Sequence, residues 1–363
     1  MAMGLPNIFI EFVKQAIQSI TVGATGVVGV ILKDAAALAG GYTVSGTEVI
    51  PDGLTDANKQ YLTEVFMGSP QKIFLYVVNG SAETVSYADA LKFFSIHRTN
   101  YICGDPTITT ACRTELVNWV KTKRASGKQS PKAVVPGQAT ADDHEGIINV
   151  KFTGGDTVKA GDTTYTAAQL CGRIAGILAG LDLTQSATYY ALDEITEIPD
   201  AEDSAVDTMI DNGFLTLYDT GSNIVIGRAV TSLKTVSQTK TEDLKKIKIV
   251  AIQDMITQDI TDTINQSYVG KYSNSYDNKC LLIAAIGGYF TELERRGYLM
   301  AGASTIDINV EKQRQYLEST GVDTSEMDEQ AIRQANTGSH VFLAGSVGIL
   351  DAIEDVDIII TKE

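Results

Sequence analysis

The sequence predicts an α/β protein with α+β elements, on three observations. Apolar strand-like runs and helical patterns alternate through its first 135 residues, the rhythm of an α/β layer. Glycine-marked hairpins and long apolar helices follow. Strand-like apolar segments also stand near both ends of the chain.

Taken in order, Gly26-Val-Val-Gly-Val-Ile-Leu32 reads as a strand and residues 56–66 as a helix stopped by Gly68-Ser-Pro70. Lys72-Ile-Phe-Leu-Tyr-Val-Val78 is a buried strand closed by Asn79-Gly80. A helix over 87–96, a strand over 100–103, a helix over 110–124 and a strand over 132–135 complete the layer. Residues 147–152 alternate as a strand, and turn residues at 154–156 and 160–162 mark a hairpin. A helix over 166–181 carries Gly172, Gly176, Gly180 and several alanines, which permit close backbone approach. Residues 200–211 form an acidic, exposed helix, and 214–218 with 223–226 a hairpin.

The last third differs in texture. Residues 241–268 read as one long helix, with Ile252, Met255, Ile256, Ile260, Ile264 and Tyr268 at helical spacing. Residues 278–296 form a second helix, apolar almost all round at first and ending at Gly297. Ile306, Ile308 and Val310 alternate as a strand, residues 311–319 and 325–334 are polar helices, and 340–350 is a strand rich in small residues.

A net charge of −16 argues against binding a nucleic-acid backbone, which needs basic patches. Lys121-Thr-Lys-Arg-Ala-Ser-Gly-Lys128 comes nearest to one and reads as the C-terminal end of a helix, where cations suit the dipole. No signal peptide is expected, since Met1-Ala-Met-Gly4 lacks a basic lead and Pro6 and Glu11 interrupt the apolar stretch. The apolar run 280–286 is too short to span a bilayer. Cytoplasmic assembly is the expectation.

Chemistry-bearing motifs are few. Cys103, Cys112, Cys171 and Cys280 show no metal spacing with His97, His144 or His340 and read as buried free thiols. Asp142-Asp-His-Glu145 has metal-ligand residue types but reads more simply as a solvated turn or helix start. Gly23-Ala-Thr-Gly-Val-Val-Gly29 has the glycine spacing of a dinucleotide-binding loop, the basis for an alternative reading as an NAD(P)-binding enzyme. Its context opposes this: no clean strand precedes it, and the β-branched residues after it favour a strand over the required helix. No catalytic residue, metal or cofactor is expected.

The ends are the strongest signal. Val356, Ile358 and Ile360 share one face of a strand, and Ile8, Phe9, Ile10 and Phe12 lie in an extended apolar segment after Pro6. Such strands either close the chain's own sheet or are given to a neighbour's, in which case the protein is a self-assembling building block. A non-contractile self-assembling shell belongs to this class.

At Gly4-Leu-Pro-Asn-Ile-Phe-Ile-Glu-Phe12, Gly26-Val-Val-Gly-Val-Ile-Leu-Lys-Asp34, Gly180-Leu-Asp-Leu-Thr-Gln-Ser-Ala-Thr-Tyr189, Tyr268-Val-Gly-Lys-Tyr-Ser-Asn-Ser-Tyr-Asp-Asn-Lys279, Val341-Phe-Leu-Ala-Gly345 and Leu350-Asp-Ala-Ile-Glu-Asp355 the chain resembles the sheath proteins of contractile phage tails. The likeness is to the compact, diffocin-like form of Gram-positive phages and R-type bacteriocins. It implies an N-terminal arm over 1–20, an outer α/β body with a mixed sheet over 21–238, an inner α+β domain over 239–350 and a C-terminal arm over 351–363. It implies arms that add strands to adjacent subunits, with Ile306, Ile308 and Val310 and then Val341 and Leu343 in the acceptor strands.

The same resemblance implies a subunit that polymerises around a tail tube and contracts, without nucleotide, to drive the tube through a target cell envelope. Its partners would be copies of itself, the tail tube protein, and baseplate and terminator proteins, with no nucleic acid and no membrane insertion. Residues 323–336 fall in the inner domain, and a helix capped by Ser325 and bearing Glu326, Asp328, Glu329 and Arg333 is the expected tube-facing element. The basic clusters 121–128 and 240–248 are expected either to face acidic neighbours such as 200–207 or to be solvated.

Overall fold

The computed structural model describes residues 19–23, 26–238 and 240–362. They form two compact units, Gly23–Gln258 with Ile349 onward, and Asp259–Gly348 with residues 19–22.

The strands and helices of the first unit are, in chain order, β1 (Val27–Asp34), β2 (Gly40–Val44), α1 (Asp56–Phe66), β3 (Lys72–Asn79), α2 (Ala88–Phe94), β4 (Tyr101–Cys103), α3 (Thr110–Ala125), β5 (Lys132–Pro136), β6 (Ile147–Val150), β7 (Thr157–Ala160), β8 (Thr163–Thr166), α4 (Ala167–Gly180), α5 (Asp203–Asp211), β9 (Phe214–Leu215), β10 (Leu217–Asp219) and β11 (Ile224–Ile226). Among the described residues a seven-stranded sheet runs β2-β3-β1-β4-β5-β6-β9. It is parallel except for β2, which joins one edge antiparallel to β3. A mixed α/β sheet is therefore observed, as the alternation predicts.

Both faces of the sheet are covered, so its strands read as continuous apolar runs. Val28, Val30, Leu32, Ile73 and Leu75 pack with Leu62 and Val65 of α1 and Ile174 and Ile177 of α4. Ile31, Ile102 and Ala133 pack with Phe94 of α2 and Leu116 and Val120 of α3. Helix α4 starts with a capping box between Thr166 and Gln169. Its glycines let it lie against α1: a Cβ on Gly176 would stand 2.0 Å from the Val65 carbonyl oxygen.

Several expectations need correction here. Residues 27–34 form a strand after Gly26, so no helix N-terminus follows the glycine motif to cradle a pyrophosphate. A Cβ on Gly29 would meet Phe94, Thr99 and Ile102, so its role is packing. The run 214–218 is divided: Phe214 and Leu215 pair with β6, whereas residues 217–219 form the hairpin with β11. Cys103, Cys112 and Cys171 are buried, but Cys280 is exposed.

The segment 142–145 is a strapped loop rather than a solvated turn or helix start. Arg113 pairs with Asp142, Thr235 and the backbone of Lys234 donate to Asp143, and Lys240 pairs with Glu145. His144 Nδ1 accepts from the Gly146 amide at 3.0 Å, which requires a neutral ring nitrogen there. Burial, opposed by Glu145 and aided by Lys240 and Arg124, holds the His144 pKa down at about 4. Beside this loop, Asp254 Oδ2 receives Arg124 and buried Lys132, each at 2.8 Å.

The second unit begins within α6 (Ile247–Thr263), which continues as a π turn over Ile264–Tyr268. A 3-10 turn, Glu242–Lys245, precedes α6, so residues 241–268 are not one regular helix. The unit then adds α7 (Tyr276–Arg295), β12 (Thr305–Ile308), α8 (Val310–Ser319), α9 (Glu329–Gln334) and β13 (Leu343–Ser346). Leu282, Ile286, Tyr289, Phe290 and Leu293 of α7 are buried, and Tyr289 donates to Asp259 at 2.7 Å. Among the described residues no helix is long and apolar enough to cross a membrane.

Two measurements check this packing. Gly176→Ala should destabilise the protein by about 1–3 kcal/mol through overpacking, read as a lowered urea midpoint. Gly288→Ala, where a Cβ meets nothing within 4 Å, should be neutral or slightly stabilising. Because the unfolded His144 ring binds a proton below its ordinary value of 6.5 and the folded ring resists protonation down to about 4, stability should fall as pH drops across that window. Its share is about 2 kcal/mol between pH 7 and pH 5. His144→Gln should remove that share, and equal slopes for variant and parent would count against it.

Candidate assembly surface

β12 and β13 form an antiparallel ribbon with Thr305 opposite Ser346 and Ile308 opposite Leu343. Among the described residues this sheet has only these two strands, so each presents an outer edge without a strand partner. The ribbon is shorter than the sequence predicts at both ends. Val310 is not in the strand, because the Asn309 side chain caps α8 at the Lys312 amide and turns the chain into that helix. Val341 also lies outside β13 and is 41% exposed. Ile308 is buried, while Ile306 and Leu343 are half-buried.

A groove of about 860 Å³ adjoins the ribbon. Ile264, Leu282, Ile286 and Phe290 supply much of its apolar lining, and Ile306 and Leu343 reach it from the two strands. The π turn contributes Ile264 and Tyr268, and its defining bond runs from the Val269 amide to the Ile264 carbonyl at 2.9 Å. The sequence signals for this lining were the apolar first half of α7 and the helical spacing of Ile264 and Tyr268, but neither separates core from an open groove.

In the first unit, the segment after Ile349 carries the other half of the candidate surface. Val356, Ile358 and Ile360 are 67%, 75% and 87% exposed, and Ile359 on the opposite face is 95% exposed. One face of the segment is thus apolar, the other mixes Ile359 with Asp357 and Thr361, and the segment forms no strand within the described chain. Ile8, Phe9, Ile10 and Phe12 lie outside the described residues.

The root of this segment is fastened to its own unit. Ser186 Oγ and Thr188 Oγ1 donate to Glu354 Oε1 at 3.0 and 2.6 Å. Lys246 Nζ stands 3.4 Å from Glu354 Oε2 and also pairs with Asp351. Arg228 donates to Asp355 at 2.5 Å, with its Nε 4.0 Å from Glu354. The Glu354 side chain is only 5% exposed. Burial lowers the Lys246 pKa, but Asp351 and Glu354 more than offset this and leave it above its ordinary value. Sequence reasoning missed this socket. Glu354 and its two hydroxyl partners nevertheless lie in segments that carry the resemblance, 180–189 and 350–355, whereas Arg228 and Lys246 do not.

Helix α9 begins at Glu329 with Asp328 as its cap, bonded to the Ala331 amide at 2.7 Å. Ser325 caps no helix; its hydroxyl donates to Asp323. Arg333 bridges Glu329 and Asp307, and hydrogen bonds from it to those carboxylates hold its pKa above the ordinary value. Glu326 is exposed. Much of the expected basic clusters is occupied within the chain: Arg124 by Asp254, Lys240 by Glu145 and Lys246 by Asp351. Among the described residues no group of three or more His, Cys, Asp or Glu is disposed to hold a metal ion.

Family models match in two places, the phage tail sheath protein central domain over residues 80–232 and the phage tail sheath C-terminal domain over residues 239–357. The tail sheath protein of Clostridium phage phiCD119 is 34% identical over 363 residues, covering 98% of each chain. The chain belongs to the phage tail sheath protein family. Its fold is shared with solved sheath proteins. A sheath tail protein of Desulfitobacterium hafniense superposes with a TM-score of 0.68 at 18% identity, covering 84% of this chain and 94% of that one. The helical sheath of the anti-feeding prophage in its contracted state gives a TM-score of 0.68 at 12% identity, covering 100% of both chains.

Proposed function

We propose that the chain is the structural, non-enzymatic subunit of a contractile tail sheath. It polymerises with copies of itself around an inner tube by strand exchange and contracts to drive the tube through a target cell envelope. The observation that carries this reading is the pairing of an exposed apolar segment beyond Asp355 with an open-edged ribbon beside an apolar groove. Burying Val356, Ile358 and Ile360 would together contribute about 5–9 kcal/mol before ordering costs. A donated strand would add main-chain hydrogen bonds on an edge that lacks them.

The division of labour follows the family: arms over 1–20 and 351–363, an outer body over 21–238 and an inner domain over 239–350. Residues 306, 308 and 343 belong to the acceptor ribbon, and Glu326, Asp328, Glu329 and Arg333 are proposed to face the tail tube protein. Baseplate and terminator proteins would close the ends of the sheath. Assembly in the bacterial cytoplasm and release on lysis fit this role, with neither nucleic acid nor membrane as a partner. Strand joints hold neighbours together whatever the orientation of the bodies. Contraction can then draw on burial and charge complementarity gained between bodies, with no nucleotide consumed.

Ile358→Asp should place an unpartnered charge in the joint at a cost of several kcal/mol. Sleeve formation by the purified chain, followed by light scattering and negative-stain microscopy, should then need at least tenfold more protein. Thr361→Asp, at an already polar position, should be mild. Equal effects from the two substitutions would sink the strand reading.

A further inference from the structure

We propose that Glu354 is a positioning residue for assembly, pinning the root of the C-terminal arm to its own body so that only the residues beyond Asp355 are free to dock on a second copy. The proposal rests on the strand-donor reading above and adds what aims the strand.

The geometry is that of a built socket. The Glu354 side chain is nearly buried although Ile353 (90%) and Val356 (67%) on either side of it are exposed. Two hydroxyls reach one carboxylate oxygen, and two cations from separate segments, Arg228 and Lys246, approach the other. Thr188 is itself held in place, since its hydroxyl accepts from the Ala229 amide at 3.0 Å. Asp351 and Asp355 engage the same two cations on either side of Glu354. The root is therefore pinned over five residues, although no secondary structure holds it.

Pinning has a mechanical consequence. An extended chain gains roughly 3.3 Å of span per freed residue, so releasing residues 351–355 would add about 16 Å of slack. Slack lowers the effective concentration of the strand at its acceptor. A pinned root also makes the direction in which the arm leaves a property of the body, so that movement of the body is carried to the arm.

The test uses the full chain before and after assembly. In a Cys280→Ser background, a spin label on Ile353→Cys should be ordered in the parent and become as mobile in Glu354→Ala as one placed at position 358, while the amides of β1 and β3 keep their protection from hydrogen exchange. Sleeves should need roughly tenfold more protein. Lys246→Ala should behave alike. Glu354→Gln keeps an acceptor for Ser186 and Thr188 and should recover part of the loss, which general destabilisation would not do. A chain cut after Asp355 should form no sleeves. Sleeves from Glu354→Ala at the parent's concentration, with none from the cut chain, overturn the proposal and leave the strand-donor reading intact. Sleeves from the cut chain overturn that reading and the proposal with it.

Discussion

A ribbon of two strands exposes two rows of backbone donors and acceptors, and this constraint organises the rest of the proposed assembly. β12 and β13 satisfy each other on their shared side, and among the described residues no further strand pairs with either outer edge. Leaving outer edges open beside an apolar groove is a liability for a protein that works alone, since edges recruit strands. It is an asset for one that joins copies of itself. The segment 356–360 has the complementary character, with Val356, Ile358 and Ile360 exposed along one face and no strand partner among the described residues.

The first unit is closely packed. Its seven strands are covered on both faces, and α4 is seated on α1 through glycine contacts that leave no room for a methyl group. Asp254 joins Arg124 at the end of α3 and Lys132 in β5 to α6. This partly buried carboxylate, shared by two cations of which Lys132 is fully buried, is costly to break, because removing it leaves charge without compensation. In the proposed contraction, deformation would then fall on linking segments rather than on the sheet. The Glu354 socket stands at that boundary, made of a few polar contacts on a segment without regular structure.

Much of the fold was legible because its signals are local. The helix over 56–66, the strand over 72–78 and the small-residue helix ending at Gly180 were read within a residue or two, from periodicity, stop signals and caps. Errors arose where one residue decides between states. Asn309 turns a strand pattern into α8, and Asp328 rather than Ser325 starts α9. Strand β13 stops at Ser346 although the apolar pattern continues to Leu350. The arm was visible as alternating isoleucines, but its anchor was not. Ser186 and Thr188 lie more than 160 residues before Glu354, and no local pattern announces a contact of that separation.

A helical reconstruction of sleeves assembled from the purified chain tests the central claim most directly. The residues after Asp355 should form a strand hydrogen-bonded to an outer edge of a neighbouring copy's ribbon, with isoleucine side chains from the arm covered at the joint. Sleeves held only by contacts between bodies, with the residues after Asp355 still exposed and both ribbon edges still open, would contradict it.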